Sequence, residues 1–192
     1  MQSDDLIVHG VDPIEVIRKY YDPESEAYRI LVEHSEKVAQ KALHIVDAHP
    51  EWRVNRRFVY ESAMLHDIGI NACHAPAIDC HGSAPYILHG YIGAERLRSM
   101  GLHRHALVCE RHTGTGITLE MILANGWELP HREMMPVSLE EQIVCFADKF
   151  FSKSGQMKEK SLDKIRKGLA SYGQDDVLRF DAWCTLFLNE ND

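Results

Sequence analysis

The chain has 192 residues, 45% of them hydrophobic and 26% charged, a globular make-up with enough length to bury a substantial core. Its 21 Lys and Arg against 29 Asp and Glu leave a net charge of −8, which argues against a general nucleic-acid or anionic-membrane surface. No apolar run approaches the ~20 residues needed to span a bilayer, and Met1–Gly10 lacks the basic start and apolar core of a leader. Five cysteines without a C-x-x-C pair suit a reducing cytoplasm.

The predicted elements are almost all helical. Asp12–Tyr21 reads as a short first helix, with Asp12 as N-cap and Pro13 at the first helical position. Glu24–Ala48 follows, and its stripe Leu31, His34, Val38, Ala42, Ile45 turns His34 inward. Arg56–Asp67 carries Val59, Ala63 and His66 on one stripe and stops at Gly69, read as a left-handed cap. Asn71–Leu88 has two prolines, a glycine and no sustained period, and reads as a long loop. Gly90–Met100 and Leu102–Arg111 are two helices parted by Gly101; His105, Val108, Cys109 and His112 share a face of the second pattern. The capping box Ser138-Leu139-Glu140-Glu141 opens Leu139–Ser152, and Leu162–Phe187 gives two more amphipathic helices around Tyr172-Gly173. Nothing argues for a sheet. The expectation is an all-α single domain over 1–192, of about seven or eight helices, with a core of about 25–155 and C-terminal helices 156–192 packing on it.

The sharpest local signal is His66-Asp67, two strong metal ligands side by side at the end of an apolar helix. A buried, unpaired carboxylate costs several kcal/mol, so Asp67 needs a positive neighbour. Taken alone, an Asp capping a turn beside a hydrogen-bonded core His explains the pair equally well. Asp148 shifts the balance, because the stripe Val144, Ala147, Asp148, Phe151 points an acid inward. Lys149 is adjacent, but consecutive helical residues point about 100° apart, so a metal ion is the more economical partner. His34 supplies a further inward ligand. Cys73-His74 and Cys80-His81 lack the spacing of a zinc finger and read as loop or pocket-lining residues. His44, His49, His103 and His105 sit in helices with no partner pattern and read as structural or exposed, and His9 is terminal.

The order His34 … His66-Asp67 … Asp148 resembles the signature of the HD superfamily of metal-dependent phosphohydrolases, and His66-Asp67-Ile68-Gly69 spells the motif of its small HDIG members. The stretches His89–Leu97, Glu110–Gly114 and Leu139–Lys149 extend the likeness. They are similar to the bacterial symmetrical diadenosine tetraphosphate hydrolases, and more so to an uncharacterised prokaryotic HDIG group. The resemblance implies one metal held by His34, His66, Asp67 and Asp148, and, as in dinuclear members, a second held by His89 and His112 with Asp67 bridging. It implies two divalent ions, from Fe, Mn, Zn or Co, and cleavage of a phosphate ester or phosphoanhydride of a small nucleotide-like substrate by a metal-bound hydroxide that Asp67 orients. A mononuclear site would point instead to nucleotidase-like chemistry.

Lys149, Lys153, Arg111 and an unligated His81 are the candidates for neutralising the leaving oxygen. Lys149 to Gly168 carries seven basic residues against Glu159 and Asp163, a local charge of +5 that reads first as a solvated helix face and second as attraction for phosphate. The partner expected is a small phosphorylated metabolite or nucleotide, with no long nucleic acid and no membrane. Two stretches look enlarged against the diadenosine tetraphosphate hydrolases: the 35 residues between His112 and Asp148, and the loop Asn71–Leu88. Two other classes fit the same ligands, a di-iron HD-type oxygenase and a non-catalytic metal-holding sensor. A sensor would be marked by a lost ligand, and none of the six positions is lost.

Overall fold

The computed structural model describes residues 10–155 and 157–188; His9 lies outside them. Helix α1 (Pro13–Arg18) starts where Asp12 accepts hydrogen bonds from the backbone N–H groups of Ile14 and Glu15. Ser25 caps α2 (Glu26–Ala48) and Asn55 caps α3 (Arg56–Leu65) in the same way. Next come α4 (His89–Ser99), α5 (His103–Arg111), α6 (Leu119–Asn125), α7 (Leu139–Asp148), α8 (Leu162–Leu169) and α9 (Gln174–Phe187). Helix α2 packs along α3 and α7, and α4 lies against α5.

The main core forms where apolar faces of α2 (Val38, Ala42, Ile45), α3 (Val59, Ala63) and α7 (Val144, Ala147) meet Ile165 and Leu169 of α8 and Phe180 and Phe187 of α9. The C-terminal helices therefore complete the core rather than hang from it. A second apolar cluster joins Ile17, Leu31, Leu65, Ile68, Leu97 and Cys109 on the other side of the buried histidines. Among the described residues, no helix is long and apolar enough to cross a membrane.

Four local expectations are corrected. The described residues form nine α-helices rather than seven or eight, because α6, capped by Thr118 and closed by Gly126 at φ +62°, is too short to show a period. The Asn71–Leu88 segment is ordered by 3₁₀ turns at Pro76–Ile78 and Tyr86–Leu88 and by a small antiparallel hairpin, β1 (His74–Ala75) with β2 (Cys80–His81), so a minimal sheet exists. Asp79 at φ +55° makes the reversal between those strands. The helix expected over Leu139–Ser152 ends at Asp148.

Gly69 is the fourth correction. Its φ is −87°, so it is not a left-handed cap. A Cβ there would lie 2.1 Å from the His89 carbonyl oxygen and 2.6 Å from the Gly93 nitrogen. Glycine is required because α4 crosses the chain at backbone contact, which fixes where His89 sits.

Candidate metal centre

Six side chains from five helices converge between the two apolar clusters. His34 lies mid-way along α2, His66 is the residue after α3, Asp67 follows it, His89 opens α4, His112 follows α5, and Asp148 closes α7. All six are buried. Helices α3, α5 and α7 thus all direct their C-terminal ends at one place.

The six fall into two groups sharing Asp67. In the first, His34 Nε2 lies 3.2 Å from Asp67 Oδ2 and 3.0 Å from Asp148 Oδ1, and His66 Nε2 lies 3.0 Å and 3.4 Å from the same two oxygens. In the second, Asp67 Oδ1 lies 3.4 Å from His89 Nε2 and 3.3 Å from His112 Nε2. The ligand atoms of each group lie within 4.8 Å of one another.

The outer ring nitrogens settle which way these rings face. His66 Nδ1 lies 2.6 Å from Ala63 O, His89 Nδ1 2.6 Å from Tyr86 O, and His112 Nδ1 2.7 Å from Cys109 O. A carbonyl only accepts, so each Nδ1 carries the proton and donates it to the residue three positions back, the support that metal-binding histidines ordinarily have. In the neutral ring, Nε2 is then a lone pair aimed inward. His89 Nε2 and His112 Nε2 face each other at 3.0 Å, two acceptors with no hydrogen between them. His66 Nε2 and Asp67 Oδ1 are buried without an aligned hydrogen bond. Orphaned acceptors gathered at this density need a cation, and a donor set of imidazoles and carboxylates fits a divalent transition metal.

The surrounding charges agree. Burial alone would raise the carboxyl pKa of Asp67, but Lys153 and the adjacent histidines hold it well below the usual range. Asp148 is likewise held low against burial by Lys149, His34 and His66. Burial lowers His66, yet Asp67 and Asp148 outweigh it and bring it to about 9, so the two carboxylates draw positive charge to its Nε2, whether a proton or a metal ion. Desolvation, with His112 alongside, drives His89 down to about 3.

Of the predicted charge-neutralising residues, two reach the cluster. Lys153 Nζ lies 2.6 Å from Asp67 Oδ2, and Lys149 Nζ lies 2.8 Å from Asp148 Oδ2 while donating to His112 O at 3.1 Å. The Lys149 contact corrects the sequence argument: Asp148 ends its helix, so the lysine side chain bends back along it. Arg111 is instead held by Glu141 at 2.8 Å, and exposed His81 pairs with Asp79 at 2.9 Å. His74 and His81 face each other across the hairpin, but no further metal-binding group appears there among the described residues. His105, read as partnerless, is buried against Glu61 at 3.0 Å. Sequence reasoning also missed Tyr86, whose ring stacks on His89 at 4.6 Å; with no period around it, nothing in the pattern marks it.

A cavity of about 690 Å³ opens beside the cluster, lined by Asp148, Lys149 and Lys153 together with Ala75, Ile78, Tyr86 and residues of α8. The HD domain family matches residues 31–152, a span that contains all six converging residues. The chain belongs to the HD-domain family. Over 121 residues this HD protein is 36% identical to an uncharacterised protein of Methanocaldococcus jannaschii, covering 62% of this chain and 64% of that one. It is 34% identical over 124 residues to a tRNA (cytidine(56)-2'-O)-methyltransferase of Picrophilus torridus, covering 64% of this chain and 32% of that one. A protein of the same name from Thermoplasma volcanium is 30% identical over 139 residues, covering 71% of this chain and 36% of that one. The chain therefore spans about a third of those two methyltransferases. In three dimensions it resembles the HD domain of the L. monocytogenes phosphodiesterase PgpH, with a TM-score of 0.53 over 90% of this chain and 86% of that one. Identity there is 17%, so that likeness is one of fold.

Proposed function

We propose that this HD protein is a metal-dependent phosphohydrolase of the HDIG type, acting on a phosphate ester or anhydride of a small nucleotide-like substrate. The observation that carries the reading is the pair of inward imidazole lone pairs of His89 and His112, 3.0 Å apart beside a carboxylate shared with a second complete ligand group. His34, His66, Asp67 and Asp148 would hold one divalent ion, and Asp67, His89 and His112 the other. Such a pair, when bound, acidifies a water and clamps phosphoryl oxygens for in-line displacement.

The chain's own residues supply the rest. Asp67 offers one oxygen to each ligand group, so its single charge would serve both. Lys153 and Lys149 both line the cavity and remain protonated, since neighbouring carboxylates raise both pKa values despite burial. They can meet the charge that develops on the leaving oxygen. The phosphodiesterase in the name of the structural relative is compatible with this chemistry. The likeness to symmetrical diadenosine tetraphosphate hydrolases gives one specific substrate to include.

The test pairs elemental analysis of the purified protein with a hydrolysis screen over nucleotides and dinucleoside polyphosphates in added Mn or Fe. About two metals per chain with turnover is the expected result. Consumption of O₂ without phosphate release would make it an oxygenase, and metal without either activity a sensor.

A further inference from the structure

The basic segment that follows the metal-binding residues is only partly used by them. Lys149 lies against Asp148 and Lys153 against Asp67, so each is paired with a ligand carboxylate. The same cavity is lined by the more exposed Lys160 and Lys164. The acids interleaved with them are turned elsewhere: Glu159 pairs with Lys41 at 2.9 Å and Asp163 with Arg166 at 3.3 Å. Among the described residues no carboxylate forms an ion pair with Lys160 or Lys164. Lys160 is half-buried, and its backbone N–H donates to Phe150 O at 2.8 Å, which ties the segment to the end of α7. Burial lowers its pKa; Asp148 opposes that, while Lys149, Lys153 and Lys164 add to it. Four ammonium groups gathered on one cavity with two carboxylates between them leave a positive excess that costs free energy unless an anion enters. Both outer lysines also lie beyond the residues matched to the HD family.

We propose that Lys160 and Lys164 form a second anion subsite, selecting a substrate that carries a further phosphate beyond the one presented to the metal centre. The volume of about 690 Å³ suits this, being within the range of nucleotide-sized ligand pockets rather than that of a lone phosphate. For the reaction the inference rests on the phosphohydrolase reading; for binding it stands alone.

The experiment compares adenosine 3′,5′-bisphosphate with adenosine 5′-monophosphate, measuring affinity by calorimetry on metal-loaded protein and KM wherever turnover occurs. The unmodified protein should bind the bisphosphate at least about tenfold more tightly. The double variant Lys160→Ala/Lys164→Ala should lose that ratio, and Lys160→Arg/Lys164→Arg should keep it. Lys158→Ala/Lys167→Ala, which removes the same charge outside the cavity, should also keep it. Equal affinities in the unmodified protein, or a ratio that survives in the double alanine variant, would overturn the subsite. Preferential binding without hydrolysis of any nucleotide would uphold the subsite and remove the phosphohydrolase reading. Hydrolysis without preference would do the reverse.

Discussion

Replacing Gly69 by alanine drives a methyl group into the backbone of α4. The new Cβ would stand 2.1 Å from the His89 carbonyl oxygen and 2.6 Å from the Gly93 nitrogen, and neither is a side-chain end that can swing away. Restoring ordinary contact requires α4 to retreat by about 1.3 Å. Overpacking of this kind costs about 1–3 kcal/mol, and a backbone collision belongs at the upper end. For a domain of this size about 3 kcal/mol lowers Tm by roughly 6–12 °C. The larger consequence is positional, because His89 is the first residue of the displaced helix. His34, His66 and Asp148 come from α2, α3 and α7 and do not ride on it. Gly69→Ala should therefore drop from two metals per chain towards one, with the second site lost first. Thermal melting and elemental analysis of the same preparation read both effects. Two metals retained with an unshifted Tm would refute the role assigned to this contact.

Asp67→Ala removes the carboxylate common to both ligand groups, so metal content and hydrolysis should fall together while helical circular dichroism persists; full activity would dismiss the site. Glu110 is buried and receives both Arg98 and Arg132, joining α4, α5 and the segment after α6. Glu110→Ala should cost about 2–3 kcal/mol in denaturant unfolding, since both guanidinium groups lose their shared acceptor. His105 is held below its ordinary 6.5 by burial, with Glu61 opposing. Its unfolded form takes up the proton first, so stability falls as pH drops below about 6.5. His105→Gln should narrow the Tm gap between pH 7.5 and pH 5.5, and an unchanged gap would show that His105 carries none of it.

What the sequence revealed followed from how much each residue's position costs. His34 and Asp148 stood out because a polar group on an otherwise apolar helical stripe must find a partner, and the structure brings both to His66 and Asp67. His89 stands at a helix start, where no stripe marks its side chain as inward; His112 continues the stripe of His105, Val108 and Cys109, but only the resemblance to a family singled out either one as a ligand. Ser138 does accept from the Glu141 N–H, but Glu141 accepts from Val137 and also binds Arg111, an outcome set by tertiary contact. The role of Gly69 was misread because a glycine after a helix has two explanations, positive φ and close approach, and only the neighbouring helix decides between them. The lysines after Asp148 read first as a solvated face, and Lys158, Lys164 and Lys167 are exposed as that reading expects, while Lys149 and Lys153 turn in to the two carboxylates.

The shared direction of α3, α5 and α7 has a consequence for the order of events. Each C-terminal end carries a partial negative charge of about half an electron, and here three of them surround two buried carboxylates. Such a place favours a cation, while Lys149 and Lys153 already offset the charge of the two carboxylates. Divalent ions held there would add to the positive side of the balance, so a phosphorylated ligand should bind more tightly with them than without. Metal and anion binding should therefore be linked, each tightening the other, with Lys160 and Lys164 able to hold a phosphate before the ion arrives.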